Sequence, residues 1–222
     1  MKFMLHPQAG LSELVVSGEE YKYLIKVRRH ALGDLIVFRH RDDLLKEHRY
    51  RLERTDGRNG YFTLESALKS PCEALKKLHI GWCIVDPKTI EKTLPMLMEL
   101  GVSQITFIHC KRSQRNFRLD FERFNRIMES AMMQCGRTSL IELSETPALS
   151  TFLNAHPEAV VLDFGGEALD KNENFETVVI GCEGGFDENE RKAFSLHRIR
   201  HFNSPMVLRS ETAAVAIASM ML

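Results

Sequence analysis

The 222-residue chain is informative first through what it lacks. It contains no apolar run of about 18 residues, the length that a membrane-spanning helix needs, and residues 1–7 carry no apolar signal core. Its five cysteines never stand in a Cys-x-x-Cys spacing, and its nine histidines show no metal-ligand spacing. We therefore expect a cytoplasmic protein with free thiols, no metal and no membrane contact.

Two common nucleotide-binding motifs are also missing. The chain contains neither Gly-x-Gly-x-x-Gly, the fingerprint of dinucleotide-binding folds, nor Gly-x-x-x-x-Gly-Lys-Ser/Thr, the P-loop. Ordinary dinucleotide-binding enzymes and P-loop nucleotide hydrolases are therefore disfavoured. The sequence also shows no internal repeat and no low-complexity segment, so it is typical of an ordinary globular protein.

The formal net charge is zero, but the charges are unevenly distributed. Residues 1–70 carry 13 Lys and Arg against 10 Asp and Glu, whereas residues 71–222 carry 17 against 20. The N-terminal part is therefore the more basic one, and it is the better candidate for contact with a nucleic acid.

Residues 1–70 read as short strands separated by turns. Ser17-Gly-Glu-Glu20 has the pattern of a capping box and predicts a helix over about residues 18–28. Alternating apolar and polar residues at 50–54 and 61–65 predict a hairpin. These elements favour a small β-barrel, with Ser70-Pro71 as the linker to the rest of the chain.

Beyond residue 75 the pattern changes to alternating strands and helices. The run 78–85 is almost continuously apolar, which is typical of a strand buried on both faces. Further strands are predicted at 104–109, 160–163 and 177–180, and helices at 87–100, 120–134 and 213–222. This alternation predicts an α/β domain over residues 71–222, with a parallel sheet covered by helices.

Two segments near the C-terminus are suited to ligand binding. The strand 177–180 runs into Gly181-Cys-Glu-Gly-Gly-Phe186, and residues 203–212 lead into the last helix. Glycines let the backbone approach a ligand, and helix N-termini present N–H groups to anions. We expect the two segments to form two walls of one pocket. The alternatives are a simple tight turn for the glycines and a surface ion pair for Arg209.

Basic residues cluster at two further places. Lys111-Arg-Ser-Gln-Arg115 follows a predicted strand, and Arg29 lies near the end of the first helix. Both clusters are candidates for contact with nucleic acid phosphates. The alternative in each case is a solvated charged surface.

Several ordered motifs resemble those of one family. Ile180-Gly-Cys-Glu-Gly-Gly-Phe186 is similar to its Ile-Gly-Pro-Glu-Gly-Gly-Phe pattern, and Leu208-Arg-Ser-Glu-Thr-Ala213 to Leu-Arg-Thr-Glu-Thr-Ala. Glu99-Leu-Gly-Val102 and Gln134-Cys-Gly-Arg137 match as well. The chain thus resembles the RsmE family of 16S ribosomal RNA (uridine-N3) methyltransferases of the SPOUT (α/β-knot) superfamily. It departs from the family pattern at Cys182, Ser210 and Asn203-Ser204.

The resemblance implies both a fold and a reaction. It implies a PUA-like, RNA-binding β-barrel at residues 1–70 and a trefoil-knotted, parallel-sheet SPOUT methyltransferase domain at residues 71–222, assembled as a homodimer. The implied cofactor is S-adenosyl-L-methionine. The implied substrate is N3 of a uridine in 16S ribosomal RNA, either as naked RNA or in the small ribosomal subunit. The alternatives are a SPOUT enzyme for transfer-RNA ribose 2′-hydroxyl groups and a non-catalytic RNA-binding assembly factor.

The resemblance also suggests roles for individual residues. Arg209 is predicted to stabilise the deprotonated base, and Glu183 to orient the base or accept its proton. The predicted cofactor contacts are Leu162, Ile180, Gly181, Glu183, Gly184, Gly185, Pro205, Met206, Val207, Leu208 and Thr212. The predicted RNA contacts are Arg29, Lys111, Arg112, Arg115 and Arg137.

Overall fold

The computed structural model describes residues 1–113, 117–170 and 172–222, with the side chains of residues 195 and 196 excepted. The chain divides into two compact units. The N-terminal unit comprises Met1–Glu73 together with Met132–Ser139, and the C-terminal unit comprises Ala74–Ala131 and Leu140–Leu222. Each unit has its own β-sheet.

The sheet of the N-terminal unit has five strands: β1 (Met4–Leu5), β2 (Glu13–Ser17), β3 (Leu35–His40), β4 (Asp43–Thr55) and β5 (Asn59–Lys69). Its strand order is β1-β3-β4-β5-β2. The predicted hairpin is confirmed as β4 and β5, which pair antiparallel over a longer stretch than expected. Within the described residues the outer strands β1 and β2 do not pair with each other, so closure into a barrel stays a prediction.

Aromatic rings fill the core of the N-terminal unit. The ring of Phe38 makes edge contacts with those of Tyr50 and Phe62, at centroid distances of 5.6 and 5.4 Å. The phenol of Tyr50 donates to the carbonyl of Leu11 at 2.7 Å and accepts from the amide of Gly10 at 2.9 Å. The buried hydroxyl is therefore satisfied by the loop before β2.

The predicted first helix is confirmed, with an unusual end. It consists of α1 (Gly18–Tyr21) and a π-helical segment (Lys22–Val27). After it, Arg29 has φ 61°, and it is the one non-glycine residue with positive φ in the described part of the chain. The left-handed conformation costs a residue with a Cβ about 1–2 kcal/mol, so this exposed arginine is held at an energetic cost.

The C-terminal unit contains a six-stranded sheet in which every strand pair is parallel. Its strands are β6 (His79–Cys83), β7 (Gln104–Ile108), β8 (Glu142–Thr146), β9 (Val160–Ala168), β10 (Thr177–Ile180) and β11 (Arg198–His201). The helices that follow β6 in the chain are α2 (Pro87–Leu100), α3 (Phe121–Cys135), α4 (Leu149–Ala155), α5 (Glu188–Lys192) and α6 (Ser210–Met221). A short 3₁₀ helix (Ala193–Leu196) continues α5.

The strand order is β11-β9-β10-β6-β7-β8, which confirms the predicted α/β class with a parallel sheet. All five residues of β6 are buried, as the apolar run predicts for a strand covered on both faces. The bounds of α2 also agree with the prediction. Asp86 caps its N-terminus by accepting from the amide of Lys88 at 2.9 Å, and Gly101, with φ 97°, ends it. The knot stays a prediction.

One disulfide corrects the expectation of free thiols. Cys83 ends β6 and Cys110 follows β7, and the two are bonded with their Cα atoms 5.7 Å apart. The prediction is wrong for this pair because the parallel alignment of β6 and β7 brings together residues separated by 27 positions. Cys72, Cys135 and Cys182 carry free thiols, as predicted.

The helices of the C-terminal unit are short. Within the described ranges the longest is α3, which has 15 residues and interrupts its apolar positions with charged ones. None of the described helices is long and apolar enough to cross a membrane. The same residues contain no group of three or more His, Cys, Asp or Glu side chains arranged to hold a metal ion.

The contact between β9 and β11 generates a stability prediction. A Cβ added to Gly166 would lie 2.2 Å from the backbone carbonyl oxygen of Ile199, so the strands must separate locally to accommodate it. Gly166→Ala should lower the free energy of unfolding by about 1–3 kcal/mol, measured by urea denaturation. Glu167→Ala, at the exposed neighbouring position, is the control and should change it by less than about 1 kcal/mol. An unchanged midpoint for Gly166→Ala would contradict this close approach.

Candidate functional site

A cleft of about 680 Å³ lies at the carboxyl ends of β10 and β11 and beside the middle of β9, inside the C-terminal unit. Its lining comes mainly from residues 162–165, 180–186 and 200–210. Because parallel strands end at the same edge of the sheet, three segments that are distant in sequence meet there, where open α/β sheets bind ligands. The two segments that the sequence singles out, at 180–185 and 205–212, both contribute to this one cleft.

The first wall is the glycine turn after β10. The amide of Gly185 donates to the carbonyl of Cys182 at 2.9 Å, and Gly185 adopts φ 63°. A Cβ on Gly181 would approach the ring of Phe186 to 3.2 Å. The glycines therefore form a tight turn and also leave its backbone accessible from the cleft.

A capping box starts α5 directly after this turn. The carboxylate of Asp187 accepts from the amide of Glu190 at 2.7 Å, and that of Glu190 accepts from the amide of Asp187 at 2.9 Å. The other oxygen of Glu190 accepts from the amide of Lys111 at 2.8 Å. Arg112 adds a bond from Nη1 to the carbonyl of Gly184 at 2.7 Å. Residues 111 and 112, which follow β7, thus stabilise the glycine turn and the start of α5 through hydrogen bonds.

The second wall is the segment between β11 and α6. It presents Met206 and Val207, while Phe164 of β9 completes the lining, and these three apolar side chains are between 67% and 73% exposed. Large apolar side chains that gather in a cleft without being covered are typical of a ligand-binding surface.

The charged side chains at this cleft include Glu183 on the first wall and Arg209 on the second. Arg209 stands at the N-cap position of α6, and its side chain is 83% exposed. Its guanidinium is 4.0 Å from the carboxylate of Glu211, which makes a weak, solvent-screened pair. Glu183 is exposed on the glycine turn. Both groups are thus accessible to a ligand that enters the cleft.

Most of the predicted cofactor-binding residues line this cleft. They are Leu162, Ile180, Gly181, Glu183, Gly184, Gly185, Met206, Val207 and Leu208. Among the described residues, Pro205 and Thr212 do not contribute to the lining. Pro205 lies between two residues that do, and Thr212 is exposed on α6.

Sequence reasoning missed several lining residues in and around β9, α5 and β11. Arg191 binds Asp163 through two hydrogen bonds of 2.7 and 3.2 Å. Asp163 ends the predicted strand 160–163. Glu183 is selected because it follows the end of a predicted strand, and the same criterion would have selected Asp163. Other missed residues include Phe164, Gly165, Phe186, Arg200, His201, Phe202, Ser204 and Ala213.

Two of the predicted RNA contacts are exposed after β7. Lys111 and Arg112 both lie on the surface of the C-terminal unit. Lys111 also lines a second cavity, again of about 680 Å³, with His109 at the carboxyl ends of β7 and β8. Arg115 lies outside the described residues.

The other two predicted RNA contacts belong to the N-terminal unit and differ in accessibility. Arg29 is exposed. Arg137 is only 7% exposed, with its Nε 3.4 Å from the carboxylate of Glu73 and 3.2 Å from the hydroxyl of Ser139. Because the side chain of Arg137 is buried and paired with Glu73, the structure does not support the expected contact between Arg137 and RNA.

Comparison with known families identifies the class of protein to which this parallel sheet and its ligand cleft belong. Residues 72–222 match the model of an RNA methyltransferase domain. A solved structure of a methyltransferase from Legionella pneumophila, in complex with the cofactor SAM, is similar with a TM-score of 0.74 and 25% identity, over 98% of this chain and 95% of that chain.

Relatives over the whole length narrow the class to one family. The chain is 37% identical over 226 residues to ribosomal RNA small subunit methyltransferase E of Helicobacter pylori strain J99, covering 99% of this chain and 98% of that protein. A structure of ribosomal RNA small subunit methyltransferase E from Neisseria gonorrhoeae shares the fold, with a TM-score of 0.72 and 20% identity over 99% and 95% of the two chains. The chain belongs to the ribosomal RNA small subunit methyltransferase E family, as its motifs predict.

The thiol of Cys182 generates a prediction about the glycine turn. Burial raises the pKa of this thiol above its ordinary value, and the thiolate is the form that reacts with alkylating agents. At each pH below that pKa the thiolate fraction is therefore smaller than in a free cysteine. Alkylation of the Cys182 peptide by iodoacetamide, followed by mass spectrometry, should rise only at higher pH than it does for N-acetylcysteine.

The same peptide in urea-unfolded protein is the control, and it should follow the profile of the free thiol. If alkylation of the native protein rose at the same pH as that of N-acetylcysteine, or at a lower pH, the result would contradict a raised pKa of the Cys182 thiol.

Proposed function

We propose that this protein transfers a methyl group from S-adenosyl-L-methionine to N3 of a uridine in the 16S RNA of the small ribosomal subunit. The observation that carries the proposal is the cleft between the glycine turn and the start of α6, with Arg209 accessible beside it. The methyltransferase E relatives, named for small-subunit ribosomal RNA, supply the substrate class.

The cleft fits the cofactor in size and chemistry. Its volume of about 680 Å³ accommodates a nucleoside with an amino-acid arm. Phe164, Met206 and Val207 offer apolar surface to the adenine, and the backbone of residues 181–185 offers polar groups. When bound, the cofactor supplies a methyl group on a positively charged sulfur. The proposed contacts also include Leu162, Ile180, Pro205, Leu208 and Thr212.

The substrate must reach the cleft as an unpaired base. N3 of uridine carries a proton on the base-pairing edge, so it is inaccessible in a duplex. Loss of that proton leaves negative charge on O2 and O4 of the base. The guanidinium of Arg209 stabilises this charge, and Glu183 orients the base or accepts the proton. Since Arg209 is exposed in the single chain, the bound RNA or a second copy of the chain excludes water from it.

Basic side chains hold the RNA backbone in this proposal. Arg29, Lys111 and Arg112 are exposed and contribute positive charge for phosphates. Arg115 belongs to the same basic segment and keeps its proposed role. Arg137 is not retained, because its side chain is buried against Glu73.

The proposal includes the architecture that the family resemblance implies. Residues 1–70 form a PUA-like barrel that binds RNA, and residues 71–222 form a trefoil-knotted SPOUT domain. Two copies assemble into a homodimer, which acts in the cytoplasm, where the small ribosomal subunit is found. The five-stranded sheet of the N-terminal unit and the all-parallel sheet of the C-terminal unit support this architecture.

Product analysis tests the proposed reaction directly. Purified protein, methyl-labelled cofactor and either naked 16S RNA or small subunits are incubated, and the RNA is digested to nucleosides for mass spectrometry. We expect label in 3-methyluridine. Label in 2′-O-methylated nucleosides would indicate ribose methylation instead. Absence of label with both substrates would contradict the enzyme and favour an RNA-binding assembly factor.

Arg209 provides a second prediction. Arg209→Ala should lower the rate of methyl transfer about 10²–10³-fold, because it removes a fixed positive charge from the site where negative charge develops. Its affinity for the cofactor, measured by calorimetry, should stay close to that of the unchanged protein. Glu211→Gln, which removes only the 4.0 Å partner, is the matched control and should retain activity. Equal loss of transfer and cofactor binding in Arg209→Ala would reject the catalytic role.

Arg29 provides a third prediction, in which two measurements move in opposite directions. Arg29→Gly should raise the free energy of unfolding by about 1 kcal/mol, because glycine adopts φ 61° without the steric cost. The same change should weaken RNA binding and reduce the slope of log K against log salt by about one, because one phosphate contact is lost.

Arg58→Ala is the charge-matched control on the exposed β4–β5 turn, and it should change neither quantity. An unchanged salt slope in Arg29→Gly would count against phosphate contact by Arg29.

A further inference from the structure

Two hydrogen bonds, one buried and one partly buried, connect the first residue of α6 with β6 and with the glycine turn. The indole Nε1 of Trp82 donates to Oγ of Ser210 at 2.8 Å. The same hydroxyl donates to the carbonyl oxygen of Gly181 at 2.6 Å. Trp82 is fully buried and Ser210 is 6% exposed, so water does not compete for these groups.

The direction of both bonds is fixed by chemistry. An indole N–H can only donate and a carbonyl oxygen can only accept, whereas a hydroxyl does one of each. Ser210 therefore accepts from Trp82 and gives its single proton to Gly181. Removing the hydroxyl leaves the buried indole donor without this partner, and the half-buried carbonyl of Gly181 loses its side-chain donor.

The hydroxyl of Ser210 is not used to cap its own helix. Serines at helix starts commonly accept from a nearby backbone N–H. Here the N-cap residue is Arg209, and the hydroxyl of Ser210 donates to the glycine turn that follows β10 instead. The bond is therefore a tertiary one that spans 29 positions of sequence.

We propose that Ser210 is a positioning residue for methyl transfer, which rests on the function proposed above. Its hydroxyl, oriented by Trp82, holds the carbonyl of Gly181 at a set distance from the start of α6. Gly181 begins the turn that carries Glu183, and Arg209 directly precedes Ser210. The bond thus fixes the spacing between the wall that holds the methyl donor and the guanidinium that stabilises the base, and transfer is sensitive to such spacing.

Kinetics of three variants test the proposal. Ser210→Ala should lower kcat about 10- to 100-fold through misplacement, while the Kd for S-adenosyl-L-methionine changes less than about threefold. Ser210→Thr keeps the hydroxyl and should restore kcat to near that of the unchanged protein. Trp82→Phe removes the bond that orients the hydroxyl, together with part of the buried ring volume, and should give an intermediate kcat.

Thermal stability is measured beside kcat to separate positioning from folding. A purely structural role predicts lower melting temperatures with kcat unchanged below them, and that result would overturn the proposal. Ser210→Thr no more active than Ser210→Ala would overturn it as well. If Ser210→Ala does not fold, an unchanged kcat in Trp82→Phe decides against it. Failure of the proposed function itself is distinguishable, because the unchanged protein would then form no 3-methyluridine.

Discussion

The parallel alignment of β9, β10 and β11 is the constraint on which the candidate site depends. Residues 169–176 and 181–197 separate these strands in sequence, yet their parallel pairing brings residues 162–165 of β9 to the carboxyl ends of β10 and β11. These segments therefore converge without any local contact between them in sequence. A shift of register in one strand would move its wall of the cleft, so the packing of the sheet determines the geometry of the chemistry.

Polar groups around the cleft divide into two kinds. Asp187, Glu190 and Arg112 are engaged with the backbone that surrounds the glycine turn. Glu183 and Arg209 are instead exposed at the cleft. The first kind holds the turn in one conformation. Without these hydrogen bonds, a glycine-rich segment would populate many conformations because its backbone is flexible. The second kind is accessible to a ligand, so the side chains that hold the turn differ from those that the proposed reaction uses.

The sequence predicts the central elements well because each has a strong local signal. The bounds of α2 follow from Pro87 and Gly101, and those of β10 from the β-branched run Thr177-Val-Val-Ile180. The edge strands β8 and β11 are missed, because an edge strand is only partly buried and a stretch such as 198–201 shows no apolar pattern. The disulfide and the burial of Arg137 are missed because both depend on tertiary neighbours.

The cleft itself is predictable in part for the same reason. Each of its two walls carries a motif that is recognisable in the sequence. These motifs are the glycine turn and the arginine before α6. The rest of the lining, with Phe164 of β9 and residues 200–202, has no such motif, and it is recognised only once the strand order is known. Recognition of the family adds the cofactor and the reaction, which no pattern of strands and helices contains.

Hydrogen–deuterium exchange, followed by mass spectrometry with and without S-adenosyl-L-methionine, tests the central claim most directly. The account predicts that the cofactor slows exchange at residues 180–186 and 204–210 together, and leaves β4 and β5 unchanged. Cofactor binding that protects neither segment, or that protects residues outside this cleft alone, would contradict it.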